Sequence, residues 1–322
     1  MIEHILMFII FLPFFGGFLL VCNLQGSIYN REIALLFSSF TFIVSLLIWV
    51  LFDNSSLIFQ FNDGFWWLPE SSFYFYLGID GISVFFILLT TFLFPLCILS
   101  SWDLVFFKKF LGQKEFLILF LFIEGFILFV FCVLDLFLFY IFFEAVLIPI
   151  FLILGIWGSR ERKVRAGYFF FLYTLFGSLF ILFGILFIFF EVGSTDFIIL
   201  SNHFFSFDEQ KILWVAFFIS FAVKVPIVPF HIWLPEAHVE APTAGSVLLA
   251  GILLKLGSYG MIRFLLCLFP LGSLFFTPFL YSVALVGVVY TSLTAVRQSD
   301  IKRVIAYASV AHINTTLVGL FS

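Results

Sequence analysis

The sequence predicts an all-α fold, a polytopic transmembrane helix bundle of about ten spans, on three observations. First, of 322 residues 64% are hydrophobic and 11% charged, with a mean hydropathy of +1.24. A soluble domain has no use for so much apolar surface, because its core stops growing well below that fraction. Second, uncharged apolar runs recur along the whole length, each continuous rather than alternating and too long for a barrel strand. Third, lysine and arginine crowd into alternate connections between the runs.

The spans follow in order. Residues 5–22 carry no charge, and the opening MIEHILMFII lacks a basic leader region, so this reads as a retained first span. Further spans are expected at 33–52, 79–101, 115–131 and 134–156, with a tight turn at Leu134 and Asp135 between the last two. The remainder fall at 167–190, 212–230, 243–266, 276–296 and 303–321, and 53–77 and 191–211 are the long polar connections. One set of alternate connections holds Arg31, Lys108, Lys109, Lys114, Arg160, Arg162, Lys163, Arg165, Arg297, Lys302 and Arg303. The other holds Lys211 and Arg263. The positive-inside rule then places the N-terminus outside and residues 231–242 on the inner side.

Lys224, Lys255, Glu144 and Glu124 are not explained by topology, because each falls near the middle of a span. A lone charge at that depth costs at least ~2.5–3.5 kcal/mol. These groups must therefore face the bundle interior, pair with one another or line a wet path. An ion pair that pins helices is one reading. Polar contacts in membranes contribute only ~0.6–2 kcal/mol, so stability alone is a poor reason to keep them. A proton path is the better reading for Glu144, Lys224 and Lys255, and both readings stay open for Glu124. Burial lowers a lysine's proton affinity and a nearby carboxylate raises it, so a lysine with a movable partner can take up and release a proton.

The stretch AVKVPIVPFHIWLPEAHVE sharpens this. Pro226 and Pro229 remove backbone donors, so the seventh span is expected to break just past Lys224. Freed carbonyls at membrane depth need protein or water partners, as at the broken helices of transporters. His231 and His238 then lead toward the inner side, where imidazole can shuttle protons near neutral pH. Their spacing, with Glu236 and Glu240 nearby and no cysteine, fits no closed zinc site, so no metal is expected. His312, in the last span, reads equally as a path residue or a satisfied interior histidine. Cys22, Cys97, Cys132 and Cys267 are scattered and read as structural thiols. The cluster SRERKVR suits topology and lipid headgroups, and no glycine loop, haem or iron–sulfur ligand set, or hydrolytic triad is discernible. The fifty-five phenylalanines read as lipid-facing and interhelical filler, with a codon bias that suits an organelle gene.

Four stretches carry a family resemblance: FYIFFEAVLIPIFLILGIWGSRER, FFFLYTLFGSL, AVKVPIVPFHIWLPEAHVEAPTAGSVLLAGILLKLGSYGMIR and VVYTSLTAVRQSDIKRVIAYASVAHIN. Together they resemble the antiporter-like membrane subunits of respiratory complex I, from about residue 115 onward. The resemblance implies a fifth-helix glutamate at Glu144, a lysine on a broken seventh helix at Lys224 and an eighth-helix lysine at Lys255. It also implies that His231 and His238 are path residues of the connecting region and that His312 is a tenth-helix histidine. Residues 1–114 would be accessory spans, 115–267 a first antiporter-like repeat, and 268–322 the start of a second, inverted repeat that is cut short. The expected function is proton translocation in the mitochondrial inner membrane, with the N-terminus facing the intermembrane space. NADH, FMN, iron–sulfur clusters and ubiquinone would be bound by other subunits, and none by this chain. The expected partners are other membrane-arm subunits, a separate polypeptide supplying the missing spans, and membrane lipids, cardiolipin among them, with no nucleic acid. A subunit of an Mrp-type cation/proton antiporter and an idle membrane spacer are the alternatives.

Overall fold

A computed structural model describes residues 4–23, 29–56, 58–68, 73–102, 112–159 and 161–322. Lys108, Lys109 and Arg160, counted above for orientation, lie outside the described residues. The described residues form a helical bundle with one β-hairpin. They divide into two compact units. The first comprises Met1–Trp157, Thr195–Phe197 and Thr243–Leu248, and the second Gly158–Ser194, Ile198–Pro242 and Leu249–Ser322.

The first unit is built on α1 (Ile5–Cys22), α2 (Asn30–Leu51), α3 (Gly81–Ser100) and α4 (Gln113–Cys132). Beyond its first turn α4 is apolar on every face but for Glu124, and it packs on α1, α2, α3 and the helices of the fifth span. Phenylalanine does much of the packing: Phe14 of α1 meets Phe122, Phe126 and Phe129 of α4 at ring separations of 5.5, 5.2 and 6.0 Å. Phe8, Phe11, Phe15 and Phe18 point outward, in keeping with an apolar solvent.

The connection read as polar, 53–77, instead contains an antiparallel hairpin of β1 (Gln60–Leu68) and β2 (Phe73–Ile79). FNDGFWWL and FYFYLGI are rich in aromatic residues that favour strands, and that signal outweighs the polar flanks. The hairpin continues into neighbouring backbone. Leu134 N donates to Tyr76 O at 2.9 Å, Phe197 N to Leu134 O at 2.8 Å, and Leu136 N to Thr195 O at 2.9 Å. Asp135, at the turn between the fourth and fifth spans, caps the next helix by accepting from Leu138 N at 2.9 Å. Its other oxygen accepts from the Thr195 hydroxyl at 2.5 Å. Burial pushes this carboxyl up from its ordinary range, against those hydrogen bonds. The fifth span is two helices, α5 (Leu136–Ala145) and α6 (Leu147–Trp157). Pro149 has no N–H for the Ala145 carbonyl, which accounts for the interruption.

The second unit contains α7 (Lys163–Val192), most of the short α8 (Phe197–Ser201), α9 (Phe207–Lys224) and α10 (Trp233–Glu240). The eighth span begins with α11 (Thr243–Leu248), which belongs to the first unit and packs on α3. It continues in the second unit as a π-helical turn at Leu249–Leu253, α12 (Leu254–Gly260) and a second π-helical segment at Met261–Leu266. α13 (Pro270–Val296) and α14 (Ile301–Leu320) pack on each other. α9 starts with a capping box: Ser206 N donates to Glu209 Oε2 at 2.7 Å, and Glu209 N donates to Ser206 Oγ at 3.4 Å.

Among the described residues eight helical stretches are long and apolar enough to cross a membrane. α9 and α14 are not among them. Asp208, Glu209, Lys211 and Lys224 lower the apolarity of α9, and Lys302, Arg303, His312 and Asn314 that of α14.

Candidate functional site

The second unit holds the break. α9 ends at Lys224, which is 3% exposed although its neighbours are apolar. A cation at a helix C-terminus is favoured by the partial negative charge of the last carbonyls. The carbonyls of Phe221, Ala222 and Val223 each find a donor. Val225 N serves Phe221 O at 2.7 Å as in a regular helix. Pro226 has no N–H, so Ile227 N serves Ala222 O at 2.9 Å, one residue late. Val223 O is then left over, and the indole N–H of Trp233 donates to it at 2.8 Å. Trp233 is 1% exposed and sets its ring at a tilt to Phe170 of α7, with centroids 5.3 Å apart. The chain thus stays open after Lys224 without an orphaned carbonyl at these positions.

Two glycines let neighbouring helices close on the break. A Cβ on Gly177 of α7 would lie 2.9 Å from Val223 Cβ. One on Gly257 of α12 would lie 2.5 Å from Val225 Cγ2 and 3.3 Å from Lys224 Cβ. Small residues at such contacts are how membrane helices approach closely. Gly257 therefore brings the backbone of α12, which carries Lys255, against Lys224. Lys255 is half-buried and its Nζ donates to Ala250 O at 2.6 Å, within the π-helical turn that precedes it. π-helical segments flank Lys255 on both sides, and such turns concentrate at functional positions.

Beyond the break, His231 is 6% exposed, with Tyr290 of α13 and Tyr307 of α14 at ring separations of 5.6 and 6.4 Å. Burial holds its imidazole below the ordinary value. His238 is 4% exposed and is pushed down to about 4, by burial first and then by the Lys302 charge. Lys302 Nζ donates to Ala241 O at 2.9 Å, and Arg303 Nη2 lies 3.5 Å from Glu236 Oε1. Glu240 is 4% exposed. The N-terminal turn of α14 is thus fastened to α10 around a buried, neutral histidine. His312 is exposed on α14, and the enclosed polar side chain of that helix is Asn314, at 0% exposure.

Glu144 and Glu124 belong to the first unit. Glu144 sits at the interruption between α5 and α6 with both carboxyl oxygens shielded from solvent. Glu124 is 0% exposed on α4, and the Thr41 hydroxyl lies 2.6 Å from its Oε1. Reading the sequence did not single out Trp233, Gly257 or Thr41. Trp233 follows a broken helix by less than ten residues, and the hydroxyl stripe FSSFTFIVS inside an apolar helix could have pointed to Thr41. Among the described residues no three His, Cys, Asp or Glu side chains gather where they could hold a metal ion.

The chain's relatives agree on one family. Residues 133–322 match the family described as NADH:quinone oxidoreductase/Mrp antiporter, transmembrane. The chain is 54% identical over 315 residues to NADH-ubiquinone oxidoreductase chain 4 of Marchantia polymorpha, covering 98% of this chain and 63% of that protein. It is 55% identical over 292 residues to the protein of that name from Chondrus crispus, covering 91% of this chain and 58% of the other. The chain therefore spans less than two thirds of the length of these relatives. Among solved structures, respiratory complex I from Thermus thermophilus with bound NADH contains a chain that superposes with a TM-score of 0.87 at 29% identity, over 100% of this chain and 64% of that one. By sequence over most of its length and by fold over all of it, the chain belongs to the NADH:quinone oxidoreductase/Mrp antiporter family of membrane subunits.

Proposed function

We propose that this chain is a proton-translocating subunit in the membrane arm of a respiratory complex I, seated in the mitochondrial inner membrane with its N-terminus toward the intermembrane space. The observation that carries the reading is Lys224, a 3%-exposed cation at the end of a helix opened by prolines, in a chain of this family. Lys224 and Lys255 of the second unit and Glu144 of the first are the proton-handling groups, with His231 and His238 continuing inward from the break. His312 and Glu124 are secondary members. The chain acts as part of an NADH:ubiquinone reductase and performs no electron transfer itself; NADH, FMN, iron–sulfur clusters and ubiquinone belong to other subunits. Its partners are the other membrane-arm subunits and the surrounding lipids, cardiolipin among them. The names of the curated relatives favour this over an Mrp-type cation/proton antiporter.

The test is Lys224→Ala in the assembled complex, in a host whose gene can be altered, with NADH–quinone turnover and proton pumping both measured. Pumping per electron pair is expected to fall by half or more for the share this subunit contributes, or coupled turnover to slow with it. Unchanged turnover and unchanged stoichiometry would leave a spacer.

A further inference from the structure

A buried acid in the first unit is not accounted for by the break at Lys224. Glu124 lies in the middle of α4 with 0% exposure, and α4 packs on α1, α2, α3, α5 and α6. Of the charged side chains on those elements, Glu144 at the end of α5 is a second shielded carboxyl and brings no positive charge, and the others are remote. Arg31 and Glu32 sit in the first turn of α2, and Lys114 and Glu115 in the first turn of α4, roughly 15 Å along the helix axis from Thr41 and Glu124. α1 and α3 carry no charged residue. Among the described residues no cation forms an ion pair with Glu124. An isolated carboxylate at this depth costs several kcal/mol, of order ~3 on the lenient insertion scale.

The hydrogen bonds around it are specific. Thr41 Oγ1 is 2.6 Å from Glu124 Oε1 and 2.7 Å from Ser38 O. A hydroxyl has one proton to give and can accept. If the carboxyl were ionised, two acceptors would compete for the single Thr41 proton. If the carboxyl carries a proton, both contacts are satisfied at once: Glu124 Oε1–H donates to Thr41, and Thr41 donates to Ser38 O. Oε2, which has no hydrogen-bond partner among the described residues, is then a neutral carbonyl oxygen rather than half of a charge. The surroundings are hydroxyls. Ser38, Thr41 and Ser45 form one stripe on α2 and, like Thr90 and Thr91 of α3, are buried, all at 1% exposure or less. One turn along α2 from Thr41, Ser45 Oγ and Thr91 Oγ1 are 2.7 Å apart.

We propose that Glu124 stands as an uncharged, proton-bearing carboxylic acid whose O–H donates to Thr41, which makes Thr41 the positioning residue of a second proton-holding site, among the N-terminal helices. The inference rests on the reading of the chain as a proton-handling subunit, but its test does not depend on pumping. A contact that merely pinned α2 to α4 would survive Glu124→Gln, since an amide can donate to the same hydroxyl; a held proton would not.

The experiment is infrared difference spectroscopy of the whole purified complex at neutral pH, in light and heavy water. The parent complex is expected to show a deuterium-sensitive carboxylic-acid C=O band that Glu124→Gln removes. Thr41→Val should move that band to higher frequency, because the acid loses its acceptor, and Thr41→Ser should leave it in place. If Glu124→Gln removes a carboxylate band and no acid band, the carboxyl is ionised and the proposal fails. It also fails if Thr41→Val leaves the acid band unmoved. Should Thr41→Val not assemble, Glu124→Gln decides the protonation state and Thr41→Ser the position of the band. Failure of the Lys224→Ala test with the acid band present would overturn the pumping role while leaving the protonated site standing.

Discussion

At the scale of single residues, the donor that keeps the break open is Trp233. Its indole takes the Val223 carbonyl that the prolines leave unserved. Replacing it by Phe keeps an aromatic ring beside Phe170 but strands that carbonyl, at a cost of about 1–3 kcal/mol. The expected outcome is a lower thermal midpoint of the assembled complex and faster amide exchange of Val225 and Ile227. Unchanged exchange there would show that water serves Val223 instead. His238 gives a pH dependence. Its folded value near 4 lies below the ordinary 6.5, so the unfolded chain takes up a proton first as pH falls. The stability it contributes is whole above about pH 6.5 and erodes between there and 4, on the order of 1 kcal/mol per pH unit. Amide exchange in α10 should accelerate across that window in the parent and stay flatter in His238→Gln. Equal slopes in the two proteins would remove His238 from this role.

At the scale of elements, the eighth span is shaped by its contact with α9. Gly257 allows α12 to touch the end of α9, and Gly257→Ala would force its methyl against Val225. The overpacking cost is about 1–3 kcal/mol. Assembly and coupled turnover should fall in Gly257→Ala and recover in Gly257→Ala/Val225→Ala, which reopens the space. No recovery in the double variant would mean that glycine is needed for something other than room. The elements also show where reading from pattern succeeds. Apolar runs located the eight stretches that are long and apolar enough to cross a membrane among the described residues, and the prolines after Lys224 located the break, because both are local in the chain. The hairpin at 60–79 was missed because its aromatic strands lie between polar flanks, and their pairing with one another and with residues 134 and 195–197 is non-local. The interruption at Val146 was missed because a proline in a membrane helix can kink it or be absorbed, and neighbouring contacts decide which.

At the scale of the molecule, the two readings of the family part company in what the chain travels with. Purified by a tag on this chain in gentle detergent, it is expected to bring NADH-oxidising, quinone-reducing activity with it. Recovery with cation/proton exchange and no NADH oxidation would support the Mrp-type alternative.

The sequence alone determined that the chain is a helical membrane bundle and that Lys224, Lys255, Glu144 and Glu124 are ionisable groups set within long apolar runs. Hydrophobic length and charge spacing are properties of the chain itself, so no fold is needed to read them. Only the tertiary structure decided that Trp233 closes the hydrogen bonds of the break, that Gly257 brings α12 against Lys224, that His312 faces outward while Asn314 faces in, and that Thr41 meets Glu124 across 83 residues of chain. Each of these depends on which helix faces share a contact, and in a helix that is apolar all round the pattern of residues does not record which face is buried.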